Sequence, residues 1–191
     1  MAHSYTAPAI RRLVENGVKV IEHGLLIDDE TARLCAERGV VISTQVAIFR
    51  LGAEKVEGFT EENRRKMQEV LAGQDRLISL MKKYDLPVGF GTDLVFGSLE
   101  LLGKEFTMRA DYFTPVEILR QATSESAEII RMAGPLDRHG DFGEIREGWL
   151  ADLLIIDGDP LADIQVLANP AQAVVFVMKE GTILKNALSE S

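Results

Sequence analysis

Three residues of this 191-residue sequence combine useful chemistry with a shared address: His3, His23 and Asp93. His23 follows the β-branched run Val18-Lys19-Val20-Ile21-Glu22, and Asp93 follows Pro87-Val88-Gly89-Phe90-Gly91 and Thr92. His3 stands where a strand would have ended, just ahead of a helical pattern. All three map to the C-terminal ends of parallel strands, where α/β proteins build their sites. Two imidazoles and a carboxylate suit a borderline divalent ion such as zinc, with a hydroxide on that ion as nucleophile and Asp93 as acceptor of its proton. A plainer reading stands beside this one: His23 caps the loop after its strand, and His3 lies at a frayed terminus.

Other reactive side chains have ordinary explanations. Ser43 and Thr44 close a strand, where hydroxyls satisfy backbone groups as readily as they line a pocket. Cys35 falls on the inward face of a helix and reads as packing. His139 lies in the polar, glycine-rich stretch from Asp137 to Gly143 and reads as a surface histidine, and Asp137, Asp141 and Glu144 as solvated loop acids.

The elements that must position the three residues follow from periodicity and punctuation. Thr6 and Pro8 open a helix that places Ile10, Leu13 and Val14 on one face and stops at Gly17, so the chain is expected to enter a helix directly. Asp28 caps a second helix ending at Gly39, and Val40 to Thr44 forms the next strand. Met67, Val70, Leu71, Leu77, Ile78 and Met81 keep a 3.6-residue period and predict one long helix from Glu61 to Tyr84. Val88 to Gly91 then makes a third strand, parallel to the others. Helices are expected over Leu99 to Met108 and Pro115 to Met132, the second broken near Ser124. From Gly134 onward short strands and turns alternate with Gly-Asp-Pro and Asn-Pro punctuation.

Alternating strands and helices with unbroken apolar strands indicate a parallel α/β fold, open or barrel. No glycine-rich phosphate loop follows the first strand, which moves the barrel ahead. The formal charge of −9, with acids spread among the helices, offers no basic face to nucleic acid or anionic lipid. No apolar run approaches the ~20 residues of a membrane helix. A single cysteine and no secretory pattern make a reducing, cytoplasmic setting the default.

Four motifs in order, Ala2-His3-Ser4-Tyr5, Ile21-Glu22-His23-Gly24, Gly91-Thr92-Asp93 and the long stretch from Gly148 to Leu161, resemble the amidohydrolase superfamily, in particular its imidazolonepropionase-like and Xaa-Pro dipeptidase-like branch. The resemblance implies the C-terminal part of a (β/α)8 TIM-type barrel over residues 1–133 and a small β-sandwich subdomain over 134–191. It implies that His3 and His23 match the metal-binding histidines after the fifth and sixth strands. Asp93 matches the aspartate after the eighth, which binds metal and activates water. A divalent metal, zinc first among the choices and one or two ions in a complete enzyme, is implied as cofactor, with a small amide or dipeptide as substrate. The family's His-x-His pair after the first strand and its bridging lysine or glutamate after the fourth have no counterpart, so the chain reads as a C-terminal portion with an incomplete site and exposed strand edges that favour homo-oligomers. The competing expectation is a non-catalytic half-barrel that serves as a structural or assembly partner.

Overall fold

A computed structural model describes residues 1–54, 60–94, 101–136 and 140–188. His139 and Asp137 lie outside the described residues. Internal contacts divide the chain into two units, Met1–Asp93 and Leu94–Ser191.

The first unit opens with a strand, β1 (Ala2–Thr6), which corrects the expectation of direct entry into a helix. Its polar composition hides it from a hydrophobic pattern; pairing with the next strand is what forms it. Helix α1 (Ala7–Glu15) follows and buries Ala7, Ile10 and Val14, with Pro8 in its first turn as expected. Strand β2 (Val20–Leu26) is buried on both faces for most of its length and runs past His23. Asp28 accepts from the Thr31 amide at 2.8 Å and so caps α2 (Asp29–Glu37), which buries Ala32 and Cys35. Strand β3 (Val41–Thr44) is wholly buried. Helix α3 (Ala47–Ala53) follows, then α4 (Glu61–Leu71), α5 (Gln74–Lys83) and the short strand β4 (Val88–Phe90).

The four strands form one sheet in the order β1-β2-β3-β4, all pairs parallel. Sequential order with a helix between neighbours is the βα rhythm the sequence predicts, with four strands where three were expected. The core lies between sheet and helices and includes Ile10, Ile21, Leu25, Ile42, Leu77 and Met81.

The single long helix expected from Glu61 to Tyr84 is two. Helix α4 buries no residue, whereas α5 buries Leu77, Ile78, Leu80 and Met81. The break falls at Gly73, where a Cβ would stand 2.1 Å from the Leu25 carbonyl oxygen. Only glycine lets the backbone approach β2 so closely.

In the second unit α6 (Leu102–Arg109), described from Leu102, buries an ion pair: Arg109 Nε donates to Glu105 Oε1 at 2.6 Å, and Arg109 Nη1 to Gln121 Oε1 at 2.6 Å. Thr114 and Glu117 form a capping box at the start of α7 (Pro115–Arg120). The break expected near Ser124 is a π turn at Gln121–Glu125, after which α8 (Ser126–Arg131) resumes. The Ser126 hydroxyl donates to the Gln121 carbonyl at 2.6 Å across that turn.

The loop that follows is tied down by charge and π contacts. The guanidinium carbons of Arg131 and Arg146 lie 5.2 and 4.9 Å from the Trp149 ring centroid. The loop acids are not merely solvated: Glu144 pairs with Arg146 at 2.6 Å, and Asp141 approaches Arg131 at 3.9 Å. The chain ends in a three-stranded antiparallel sheet, β5 (Leu153–Ile156), β6 (Val174–Lys179) and β7 (Thr182–Asn186), with the short helix α9 (Pro170–Ala173) leading into β6. No described helix is long and apolar enough to cross a membrane.

Candidate metal-binding site

Parallel register brings the two histidines together. His3 of β1 is aligned with Glu22 of β2, and Ser4 with His23, so the histidines sit one step apart on adjacent strands. Their rings meet edge to face, and His23 Nε2 lies 2.8 Å from His3 Nδ1. His23 has a left-handed backbone, φ 75°, followed by Gly24 at φ 71°. Such a conformation costs a residue with a side chain about 1–3 kcal/mol and is held only where the surroundings fix it.

The surroundings here do fix it. Tyr5 stacks on the His23 ring at 5.0 Å between centroids, and Phe49 of α3 meets its edge at 5.6 Å. Gln45, the buried residue just after β3, places Oε1 2.7 Å from His23 Nδ1. The same amide donates through Nε2 to Glu22 Oε2 at 3.2 Å and to the Ser43 carbonyl at 3.4 Å. Ser43 thus enters the site through its backbone.

Asp93 follows β4 with φ 48° and is exposed. Its charge reaches both neighbours. The Tyr5 phenol is raised above its ordinary value, by burial first and by Asp93 second, and so stays protonated at neutral pH. His23 is lowered, chiefly by burial, with a smaller opposing pull from Gln45, Asp93 and Glu22. The buried, neutral imidazole is the form that binds metal.

Of the three residues expected from sequence, His3 and His23 are in contact and Asp93 lies within electrostatic reach. Among the described residues no group of three or more His, Cys, Asp or Glu side chains is close enough to hold an ion. The histidine pair nonetheless fits one. Two nitrogens on a tetrahedral zinc at ~2.0–2.1 Å stand ~3.3 Å apart, so the 2.8 Å pair need open by only about half an ångström. Sequence reasoning missed Gln45, Glu22, Tyr5 and Phe49 as members of the site. Glu22 and Tyr5 lie inside the motifs around His23 and His3, while Gln45 has no local signal.

The chain is 28% identical over 185 residues to ochratoxinase of Aspergillus niger, covering 96% of this chain and 37% of that protein. A crystal structure of an amidohydrolase matches with TM-score 0.89 and 37% identity over 98% of this chain and 45% of its own. A prolidase complexed with N-methylphosphonate-L-proline matches with TM-score 0.85 and 35% identity over 97% of this chain and 45% of its own. The chain thus spans less than half the length of these relatives. The description of the Amidohydrolase family fits residues 1–184, the whole sheet with its histidine pair and nearly all of the second unit, and on that match the chain belongs to the amidohydrolase family.

Proposed function

We propose that these residues are the C-terminal portion of a metal-dependent hydrolase that cleaves an amide or dipeptide C–N bond. The observation that carries the reading is the His3–His23 pair, ring nitrogens of an exposed and a buried imidazole facing each other at 2.8 Å on adjacent parallel strands in a chain of this family. The prolidase and the ochratoxinase among its relatives support small amides and dipeptides as the substrate class. In this reading β1 to β4 are the last four strands of an eight-stranded barrel, and β5 to β7 contribute to a β-sandwich. The domain boundary falls between 133 and 134, which groups α6 to α8 with the barrel.

His3 and His23 would hold a divalent ion, with zinc the proposed metal, together with ligands from the part of the family fold that lies outside these 191 residues. Such an ion, when bound, polarises a carbonyl and lowers the pKa of water toward ~7. The chain's own residues supply the rest. Asp93, exposed beside the pair, accepts a proton and returns it to the leaving amine. Tyr5, held protonated, offers a hydrogen-bond donor next to the ion position. The apolar walls of Tyr5 and Phe49 keep water from the His23 face they cover. Among the described residues strands β1 and β4 each have one neighbour in the sheet, and self-association through these edges is part of the proposal.

The test compares this chain with a version extended to the relatives' length, each with zinc, on Xaa-Pro dipeptides and small amides. Turnover is expected only from the longer protein, since a catalytic zinc site generally needs about three protein ligands. In that protein His23→Ala and Asp93→Asn should abolish it. Full activity in both variants would remove the residue assignment, and robust zinc-dependent turnover by the short chain would remove the incomplete-site reading.

A further inference from the structure

The plane of the His23 ring is already set by packing: Tyr5 lies against one face at an interplanar angle of 23°, and Phe49 stands at 89° to it. What packing cannot decide is which nitrogen carries the proton. Gln45 can. Its Nε2 points at two acceptors, Glu22 Oε2 and the Ser43 carbonyl oxygen. Reversing the amide would set its oxygen against both, so Oε1 must be the atom facing His23. An oxygen 2.7 Å from Nδ1 requires that Nδ1 bear the hydrogen, which in the neutral ring leaves the lone pair on Nε2, directed at His3.

Space has been cleared for this amide. A Cβ at Gly91, two residues before Asp93, would stand 2.7 Å from Gln45 Nε2. Three separate pieces of chain therefore converge on one side-chain amide: Glu22 and His23 of β2, the end of β3, and the residue after β4.

We infer that Gln45 is a positioning residue that fixes His23 in the Nδ1–H tautomer and so presents the Nε2 lone pair to the ion position between His3 and His23. The tautomer part stands on the hydrogen-bond geometry alone; the ion part rests on the metal-dependent reading above. A histidine ligand commonly donates its second nitrogen to such an outer partner, and loss of that partner weakens metal binding about 10–100-fold. Here the partner is a neutral amide aligned by a carboxylate. Glu22 orients the group by accepting from its Nε2.

Long-range proton–nitrogen correlation spectra of the full chain without metal, at pH 7.5, read each imidazole nitrogen directly. His23 Nδ1 should appear protonated and Nε2 unprotonated. Gln45→Met, similar in size but with no acceptor, should lose that preference. Gln45→Glu combined with Glu22→Gln, which keeps an oxygen toward Nδ1 and gives the second oxygen an amide donor, should retain it; a purely structural role would not distinguish the two in this spectrum. Zinc titration by calorimetry should show affinity reduced about tenfold in Gln45→Met and not reduced in the Gln45→Glu/Glu22→Gln double variant. A wild-type spectrum with the proton on Nε2 overturns the inference without recourse to any variant, and so does a Gln45→Met protein that keeps the wild-type tautomer. A tautomer that shifts with no change in zinc affinity overturns the ion part, and with it the assignment of His23 as a ligand, while the tautomer assignment holds.

Discussion

Replacing Gly91 by alanine pits two small effects against each other, and the structure says which wins. The backbone at Gly91 does not have a positive φ, so alanine fits the local conformation and should stabilise by about 0.4–1 kcal/mol through a less flexible unfolded chain. Against this, the new Cβ would meet Gln45 Nε2 at 2.7 Å, with Cγ and Cδ at 3.4 and 3.5 Å. The amide must retreat by several tenths of an ångström from bonds to Glu22 and Ser43 that are already 3.2 and 3.4 Å long. Losing the charge-assisted bond costs about 1.5–3 kcal/mol and the bond to His23 about 0.5–1.5. The net expectation is a loss of roughly 1–4 kcal/mol despite the favourable backbone. Urea unfolding followed by far-UV circular dichroism measures it. The decisive comparison is the same substitution in a Gln45→Ala background. With the amide gone, Gly91→Ala should be neutral or slightly stabilising. An equal cost in both backgrounds, or a gain in the wild-type background, would refute the claim that Gly91 is there to admit Gln45.

Burial lowers the His23 pKa below its unfolded value of about 6.5, so the neutral ring contributes stability that is present above that pH and is lost as pH falls through the folded value. The urea midpoint of the metal-free chain should drop below pH 6.5 more steeply in the wild type than in His23→Gln; parallel curves would count against it. Arg109→Leu takes the guanidinium from the buried Glu105 carboxylate and should cost about 3–5 kcal/mol, part of it recovered in the Arg109→Leu/Glu105→Leu double variant, in which the buried Gln121 still lacks its Arg109 donor, as a urea double-mutant cycle would show. The Cys35 thiol is buried and pushed up to about 11 by that burial, so a thiol reagent at pH 7.5 should leave it unmodified in the native chain and label it fully in urea. Rapid native labelling would show that α2 opens.

The sequence carried the site where local pattern and chemistry coincide. His23 and Asp93 could be placed because each follows a readable apolar run, but only Asp93 lies past the end of its strand; β2 continues beyond His23 to Leu26, and His3 stands inside β1. His3 could be placed only by its neighbours, since β1 has too little apolar pattern to announce a strand. Gln45 was invisible for a different reason: its role exists only once β2, β3 and β4 are in register, and nothing local distinguishes it from any polar residue after a strand. The same holds at Gly73. The 3.6-residue period runs through it without a gap, and one glycine is tolerated in many helices. Its meaning lies in the carbonyl of Leu25, which is 48 positions earlier in the chain and only a few ångströms away in the fold. Near Ser124 the sequence did mark a disturbance, and the structure gives it a form, an extra residue in the helical turn.

Trp149, flanked by its two guanidinium groups, has a practical consequence for anyone who unfolds this protein. It is the only tryptophan in the chain, and it belongs to the second contact unit, while the histidine pair belongs to the first. Intrinsic fluorescence excited at the indole band therefore watches one unit and is blind to the other. If the two melt separately, emission and ellipticity will trace different curves, and the gap between them will measure how far the histidine-bearing unit stands by itself.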